Sequence, residues 1–275
     1  MNAASQRPSV FVGDVELVPL NDGEFITGPE YFGPNISFAG HEALLADDGK
    51  MHLPIGCFLC RGGPLGDKTI LLDAGLGEMS GETFVGGHLI DELAAIGVRP
   101  ADVDIVICSH LHLDHCGWLV DHAGKAVFTN ATISVGQDDW TRFVVDAADV
   151  MVDSVREGLK ALFDAGRVRL LSGDVTIEPA LSALGAPGHT PGHLIVVVSD
   201  HGERAVLLGD AISCPVQLQE SDWGAISDVD PALARATRER MWSELETSGD
   251  LAVGAHFPGL SFGRVITGAS GRRWL

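Results

Sequence analysis

His110-Leu111-His112-Leu113-Asp114-His115 is the stretch from which the rest of the chain is read. It follows the apolar run 101–109, rich in β-branched residues, so a buried strand is predicted to end where this cluster begins. Four metal-capable side chains within six residues are too costly to bury unless a cation is present. On an extended chain His110 and His112 point the same way, while Asp114 and His115 enter a turn and aim elsewhere. One loop can therefore serve two adjacent ions.

Two ions need more ligands than this loop offers, and the chain supplies them at the ends of other predicted strands. Asp73 closes the run 69–73, His189 sits in a Gly/Pro-marked loop before the apolar run 194–199, Asp210 ends 205–210, and His256 ends 251–256. In this order these residues resemble the metallo-β-lactamase superfamily, over residues 10–265. The resemblance implies an α/β fold, an αββα sandwich of two mixed sheets flanked by helices, with metals at one edge. It implies that His110, His112 and His189 hold one ion, that Asp114, His115 and His256 hold a second, and that Asp210 bridges both. Asp114 and Asp210 are then the carboxylates at the catalytic centre. Asp73 is expected to hold a ligand imidazole by a hydrogen bond, and His193, off the ligand pattern, to stand behind the ligands as a structural residue. The donor set suits Zn²⁺, and Mn²⁺, Fe²⁺ or Co²⁺ also accept it.

Composition narrows the partners. The 275 residues carry 18 basic and 38 acidic side chains, a net charge of −20, which argues against a nucleic-acid partner. No run reaches the length of a membrane span and residues 1–10 have no leader character, so a soluble cytoplasmic protein is expected. The odd number of cysteines, five, agrees with reduced thiols. Cys57 and Cys60 have CxxC spacing but lie in an apolar run with no second pair, so buried packing is expected over a metal or redox role. Cys116 and Cys214 read as packing residues. A flexible tail over 1–9 and one hydrolase domain over 10–275 are expected, with a homodimer left open.

Along the chain, 10–20 reads as the first strand and 21–54 as an irregular, substrate-covering segment with a short helix at 39–47. Its Phe25, Tyr31, Phe32 and Phe38 either wall the substrate pocket or pin the loop to its own core. Strands follow at 55–61 and 69–73, a helix at 84–96 capped by Gly97, a strand at 126–135, and helices at 137–144 and 149–165. Trp118 flanks the site or packs in the core. Short strands at 168–171, 175–177 and 181–184 lead to His189. After Asp210, residues 211–230 are irregular and contain Trp223, and 231–246 is a helix with Asp230 as N-cap and Pro231 in its first turn. Of the remaining histidines, 41, 52, 88, 122 and 201, His52 is the best candidate for a role.

Two metals would generate hydroxide from a shared water at neutral pH and polarise the scissile group. Hydrolysis then needs no Ser or Cys nucleophile. The spacings of 74 residues from His115 to His189, 21 to Asp210 and 46 to His256 look most like the branch of acyl-homoserine lactonases and methyl-parathion-hydrolase-like enzymes. Those lactonases resemble one another in a Tyr three residues after the bridging Asp. Here that position is Ser213, and the chain's one tyrosine, Tyr31, would have to reach in from the loop. No lysine lies between 161 and 275, and Arg235, Arg238 and Arg240 have exposed-face spacing, so an anionic substrate is disfavoured. A small, neutral, apolar lactone or ester is expected. The alternatives are a phosphotriester on the same site, or an iron-dependent redox or dioxygenase reaction.

Overall fold

The structure, a computed structural model, describes residues 8–148, 151–269 and 271–275. Strands β1 Val10–Val12, β2 Val15–Thr27, β3 Met51–Arg61, β4 Thr69–Leu72 and β5 Phe84–Val85 come first, then helix α1 Leu89–Ala95 and β6 Ile105–Ile107. The short helix α2 Leu113–Cys116 precedes β7 Thr132–Gly136, α3 Gln137–Asp139, a π-helical turn Trp140–Val145 and α4 Asp153–Asp164. Strands β8 Val168–Leu171, β9 Val175–Glu178, β10 Leu181–Gly185, β11 Leu194–Asp200 and β12 Glu203–Leu207 lead to α5 Pro231–Ser248 and β13 Leu251–Val253. The hairpin of β14 Val265–Gly268 and β15 Gly271–Trp274 closes the chain.

Two sheets face each other. One runs β1-β2-β3-β4-β6-β7-β8 with β5 against β2, and the other runs β13-β12-β11-β10-β9. The facing surfaces bury Leu17, Phe58, Ile70, Ile107, Val196, Val198, Leu207 and Val253 in one cluster. A second cluster lies between the first sheet and α1 and α4, with Leu59, Val106, Leu93, Ile133 and Leu159. Met241, Trp242 and Leu245 of α5 pack onto the second sheet. The layers are helix, sheet, sheet, helix, the αββα sandwich expected.

Strand direction explains where the chemistry gathers. The pairs β4–β6, β6–β7 and β12–β13 are parallel, so their carboxyl ends open on common edges, where a sheet of this kind places its loops. Asp73 follows β4 and His110 follows β6, while Asp210 follows β12 and His256 follows β13. The loop bearing His189 joins β10 to β11.

Several boundaries differ from the expectation. The segment 10–20 is not one strand but a tight hairpin at Gly13-Asp14, and β2 runs on to Thr27, so the irregular stretch is only 28–50. Residues 39–47 contain one 3-10 turn, Glu42–Leu44, rather than a helix. Phe84 and Val85 pair with β2 instead of opening α1. Gly97, at φ +75°, caps α1 as expected: its N–H meets the Ala94 carbonyl and the Val98 N–H the Leu93 carbonyl. The strand expected at 126–135 is shorter, and the start of the helix at 149–165 falls partly outside the described residues; α4 begins at Asp153. In α5 the Asp230 carboxylate accepts from the Leu233 N–H at 3.0 Å, the cap expected. Cys57 and Cys60 lie on β3 and pack into different clusters, one facing the helices and one between the sheets. The five cysteines are free and buried.

Candidate metal centre

Three imidazoles converge at the mouth between the sheets. His110 Nε2 lies 3.0 Å from His112 Nδ1, which lies 2.9 Å from His189 Nε2. The outer nitrogens are fixed first. Ser109 Oγ donates its proton to Asp73 Oδ2 at 2.8 Å and so accepts from His110 Nδ1 at 3.1 Å. His189 Nδ1 donates to Asp228 Oδ1 at 2.9 Å. The inner nitrogens of His110 and His189 thus present lone pairs to each other and to His112. One shared proton cannot satisfy three such rings, whereas a cation among them can.

Carboxylates dominate the second group. His115 Nδ1 donates to Asp73 Oδ2 at 2.9 Å, and its buried Nε2 has no hydrogen-bond partner among the described residues. That Nε2 lies 3.5 Å from Asp210 Oδ1, likewise unpartnered, and 3.8 Å from Asp114 Oδ1. His256 Nδ1 donates to the Pro54 carbonyl at 2.7 Å, which leaves Nε2 3.4 Å from Asp114 Oδ2 and 3.3 Å from Asp210 Oδ2. Asp210 Oδ2 also lies 3.6 Å from His189 Nε2, so this one carboxylate touches both groups. The seven residues expected as ligands are thus brought together, with Asp73 behind His115. His193 accepts the Asp210 N–H on Nε2 at 3.0 Å and so orients the backbone of that carboxylate.

The electrostatics call for positive charge. Burial works against protonating His115, but Asp73, Asp114 and Asp210 overcome it and raise its pKa to about 10. His256, also opposed by burial, is raised to about 8 by Asp210 and Asp114. His110, buried among other imidazoles, is pushed well below its ordinary value and stays neutral. Asp210 is held far below the usual carboxylate range, against burial, by His256, His115 and His189.

A pH dependence follows. Both raised imidazoles have folded values above the ordinary 6.5, so they stabilise the metal-free protein fully below that pH and lose this contribution as pH rises through about 8 and about 10. The metal-free protein is expected to lose Tm across that window and the metal-loaded protein to hold it, since bound cations replace the protons. Calorimetry of the two forms at a series of pH values checks this.

Other residues tie the ligand loops together. Asp139, whose carboxyl burial pushes up to about 6, accepts from the Gly192 N–H at 2.6 Å, Thr190 Oγ1 at 2.8 Å and the Leu111 N–H at 3.2 Å. One buried carboxylate thus clamps the loop of His110 and His112 to that of His189. A Cβ on Gly136 would lie 1.9 Å from the Gly192 carbonyl oxygen, so only glycine lets these backbones touch. Ser109, Asp139 and Asp228 were missed from sequence: Asp139 reads as first-turn helix charge, and Asp228 lies in a stretch without periodicity.

Beside these residues a cavity of about 460 Å³ is walled by Phe25, Tyr31, Phe84, Leu113 and Ile226, with Glu30 at its lining and His112, Asp114, Asp210 and His256 at its base. Phe25 stacks on Phe84 and meets Tyr31 edge-on. Of the aromatic residues expected here, Phe25 and Tyr31 line the cavity. Phe32, Phe38 and Trp223 instead sit behind that wall in a small core with Met51, Leu53 and Cys214, which Tyr31 joins and Phe25 packs against. Trp118 turns away and donates to Asp22 at 2.8 Å. Ser213 is buried outside the lining, with its hydroxyl toward Tyr31 but no full hydrogen bond. His52 sits at the surface between Glu24 and Asp48. Arg238, expected in solvent, is buried against Asp228. A larger cavity of about 510 Å³ lies behind α5, where its charged residues pair with one another, Arg204 with Asp250 and Arg240 with Glu244.

The chain is similar to several known proteins. N-acyl homoserine lactonase AiiA of Bacillus thuringiensis subsp. kurstaki is 27% identical over 208 residues, 70% of this chain and 76% of the relative. AttM, an N-acyl homoserine lactonase of Agrobacterium fabrum, is 34% identical over 124 residues, 43% of this chain and 44% of its own. The solved structure of AidC, a dizinc quorum-quenching lactonase in complex with a product, superposes with a TM-score of 0.84 at 25% identity, covering 98% of this chain and 96% of that one. The hydrolase AbOPH shares the fold at a TM-score of 0.84 and 24% identity, covering 100% and 98%. The model of the metallo-beta-lactamase superfamily matches residues 57–246, well over half of the sequence, and the chain therefore belongs to that superfamily as a metal-dependent hydrolase.

Proposed function

We propose that this protein is a dinuclear metal-dependent hydrolase that opens the ester bond of lactones carrying an apolar acyl chain. The observation that carries the reading is the cavity itself. Two ligand groups lie at its base, its walls are mostly aromatic and aliphatic with Thr27, Thr83, Ser227 and Glu30 between, and among the described residues neither lysine nor arginine lines it. A cavity of about 460 Å³ suits a small apolar substrate. The lactonase relatives support the ester class.

His110, His112 and His189 are assigned to one ion, Asp114, His115 and His256 to the other, and Asp210 to both. The unpartnered His115 Nε2 and Asp210 Oδ1 fit this assignment. Zinc suits the nitrogen-rich half, and AidC, its dizinc neighbour, favours it. When bound, the ions supply hydroxide at neutral pH and polarise the substrate carbonyl.

The chain's own groups do the rest. Burial, with Asp210 close by, raises the Tyr31 phenol well above its ordinary value, so it stays protonated and can donate to the substrate or leaving oxygen. Phe25 and Phe84 hold the acyl chain. Glu30 repels the carboxylate product more than the neutral lactone, which favours release. The unpaired buried cysteines support the reducing compartment proposed for this chain.

Metal analysis with a hydrolysis panel tests the reading. About two zinc ions per chain with turnover of aliphatic lactones is the expected result. Turnover of a phosphotriester alone would move the substrate class, and iron with oxygen consumption and no hydrolysis would overturn the hydrolase. Tyr31→Phe is expected to lower kcat about 100-fold, in the range of a lost transition-state donor, with metal content unchanged by atomic absorption.

A further inference from the structure

Each half of the centre has one imidazole backed by a buried carboxylate. Asp73 backs His115, and on the opposite side Asp228 backs His189. Asp228 is more heavily engaged than a simple hydrogen-bond acceptor. Its Oδ2 takes the Ala225 N–H at 3.1 Å and lies 3.8 Å from Arg238 Nη1, a guanidinium whose side chain is only 5% exposed. Arg238 comes from α5, a helix that offers no ligand yet fastens the His189 loop twice more. Thr237 Oγ1 donates to the Pro187 carbonyl at 2.6 Å, and a Cβ on Gly188 would lie 2.3 Å from the Ala234 nitrogen. The segment around Asp228 closes the arrangement, since Val229 N–H bonds the His189 carbonyl at 2.9 Å and Ile226 N–H the Tyr31 carbonyl at 2.7 Å.

We propose that Asp228 and Arg238 are positioning residues that hold His189 and, with it, one of the two ions, Arg238 acting through Asp228. The proposal rests on the dinuclear reading above. Asp228 fixes the tautomer and the ring orientation of His189. Arg238, 3.8 Å from Asp228 Oδ2, holds that carboxylate in place behind the imidazole.

Zinc release to a chromogenic chelator from the loaded protein tests this without using activity. Asp228→Asn keeps an oxygen for His189 but removes the charge, and is expected to speed release of one zinc ion about 10- to 100-fold while the other leaves at the wild-type rate. Arg238→Met should act in the same direction on the same ion, and the double variant should be no faster than Asp228→Asn alone. A merely structural role would loosen both ions together and lower the Tm of the metal-free protein by as much as that of the loaded one. Equal loss of both ions, unchanged release, or additive effects in the double variant would overturn the proposal. If Asp228→Asn does not fold, Arg238→Met decides on the same criteria. Wild-type protein that holds fewer than two ions overturns the dinuclear reading and this one with it, whereas two ions without lactone turnover overturns the substrate reading alone.

Discussion

Asp210→Asn is expected to release one of two metal ions and to lower kcat by about 100- to 4,000-fold. The carboxylate reaches both groups, 3.5 Å from His115 Nε2 by one oxygen and 3.6 Å from His189 Nε2 by the other. Asparagine keeps the shape and loses the charge, and its amide would turn N–H donors toward a site built to receive a cation. Breaking a buried charge pair by neutralising one partner costs about 3–5 kcal/mol, and about 1.4 kcal/mol is a factor of ten in rate. Metal content and steady-state kinetics on one preparation check both halves. Full activity with a single ion would refute the bridging role.

Stripping the metal should have the largest effect on stability. The proposed ligands come from both sheets, His110 after β6 and Asp210 and His256 after β12 and β13, so bound ions would join the two layers at their open edge. At free metal about 1,000-fold above Kd, each ion stabilises the folded state by about 4 kcal/mol. Two such ions, at about 2 °C per kcal/mol for a chain of this size, correspond to a Tm drop of about 15 °C on chelation. The drop should reverse when zinc is returned. A change below about 3 °C in calorimetry would mean that the ions do not span the sheets.

How much of this was legible from sequence depended on how few alternatives the residues had. The cluster at 110–115 and the strand-end residues Asp73, His189, Asp210 and His256 could be placed because buried imidazoles and carboxylates at that density have little other use. The αββα class followed from the superfamily resemblance rather than from periodicity. Elements that depend on a distant partner were not readable. β2 runs through Asp22 and Gly23, which look like a break, because a bulge there lets Gly23 approach Val85 so closely that a Cβ would lie 1.8 Å from its carbonyl oxygen. Phe84 and Val85 carry a helical pattern but are claimed by that same strand. Arg238 has the spacing of an exposed residue, and only the fold brings Asp228 to it. The aromatic loop divides the same way, since Trp223, nearly two hundred residues on, decides that Phe32 and Phe38 pack in a core rather than face substrate.

The opposed placement of Cys57 and Cys60 gives the molecule a built-in pair of reporters. Three positions apart on one strand, Cys57 faces the layer under the helices and Cys60 the layer between the sheets, while Cys214 marks the aromatic core of the loop. A thiol so buried reacts only when its own layer opens. Pulsed alkylation followed by peptide mass analysis would therefore time the parting of each layer separately, and would show whether the helices peel from the first sheet before the two sheets come apart.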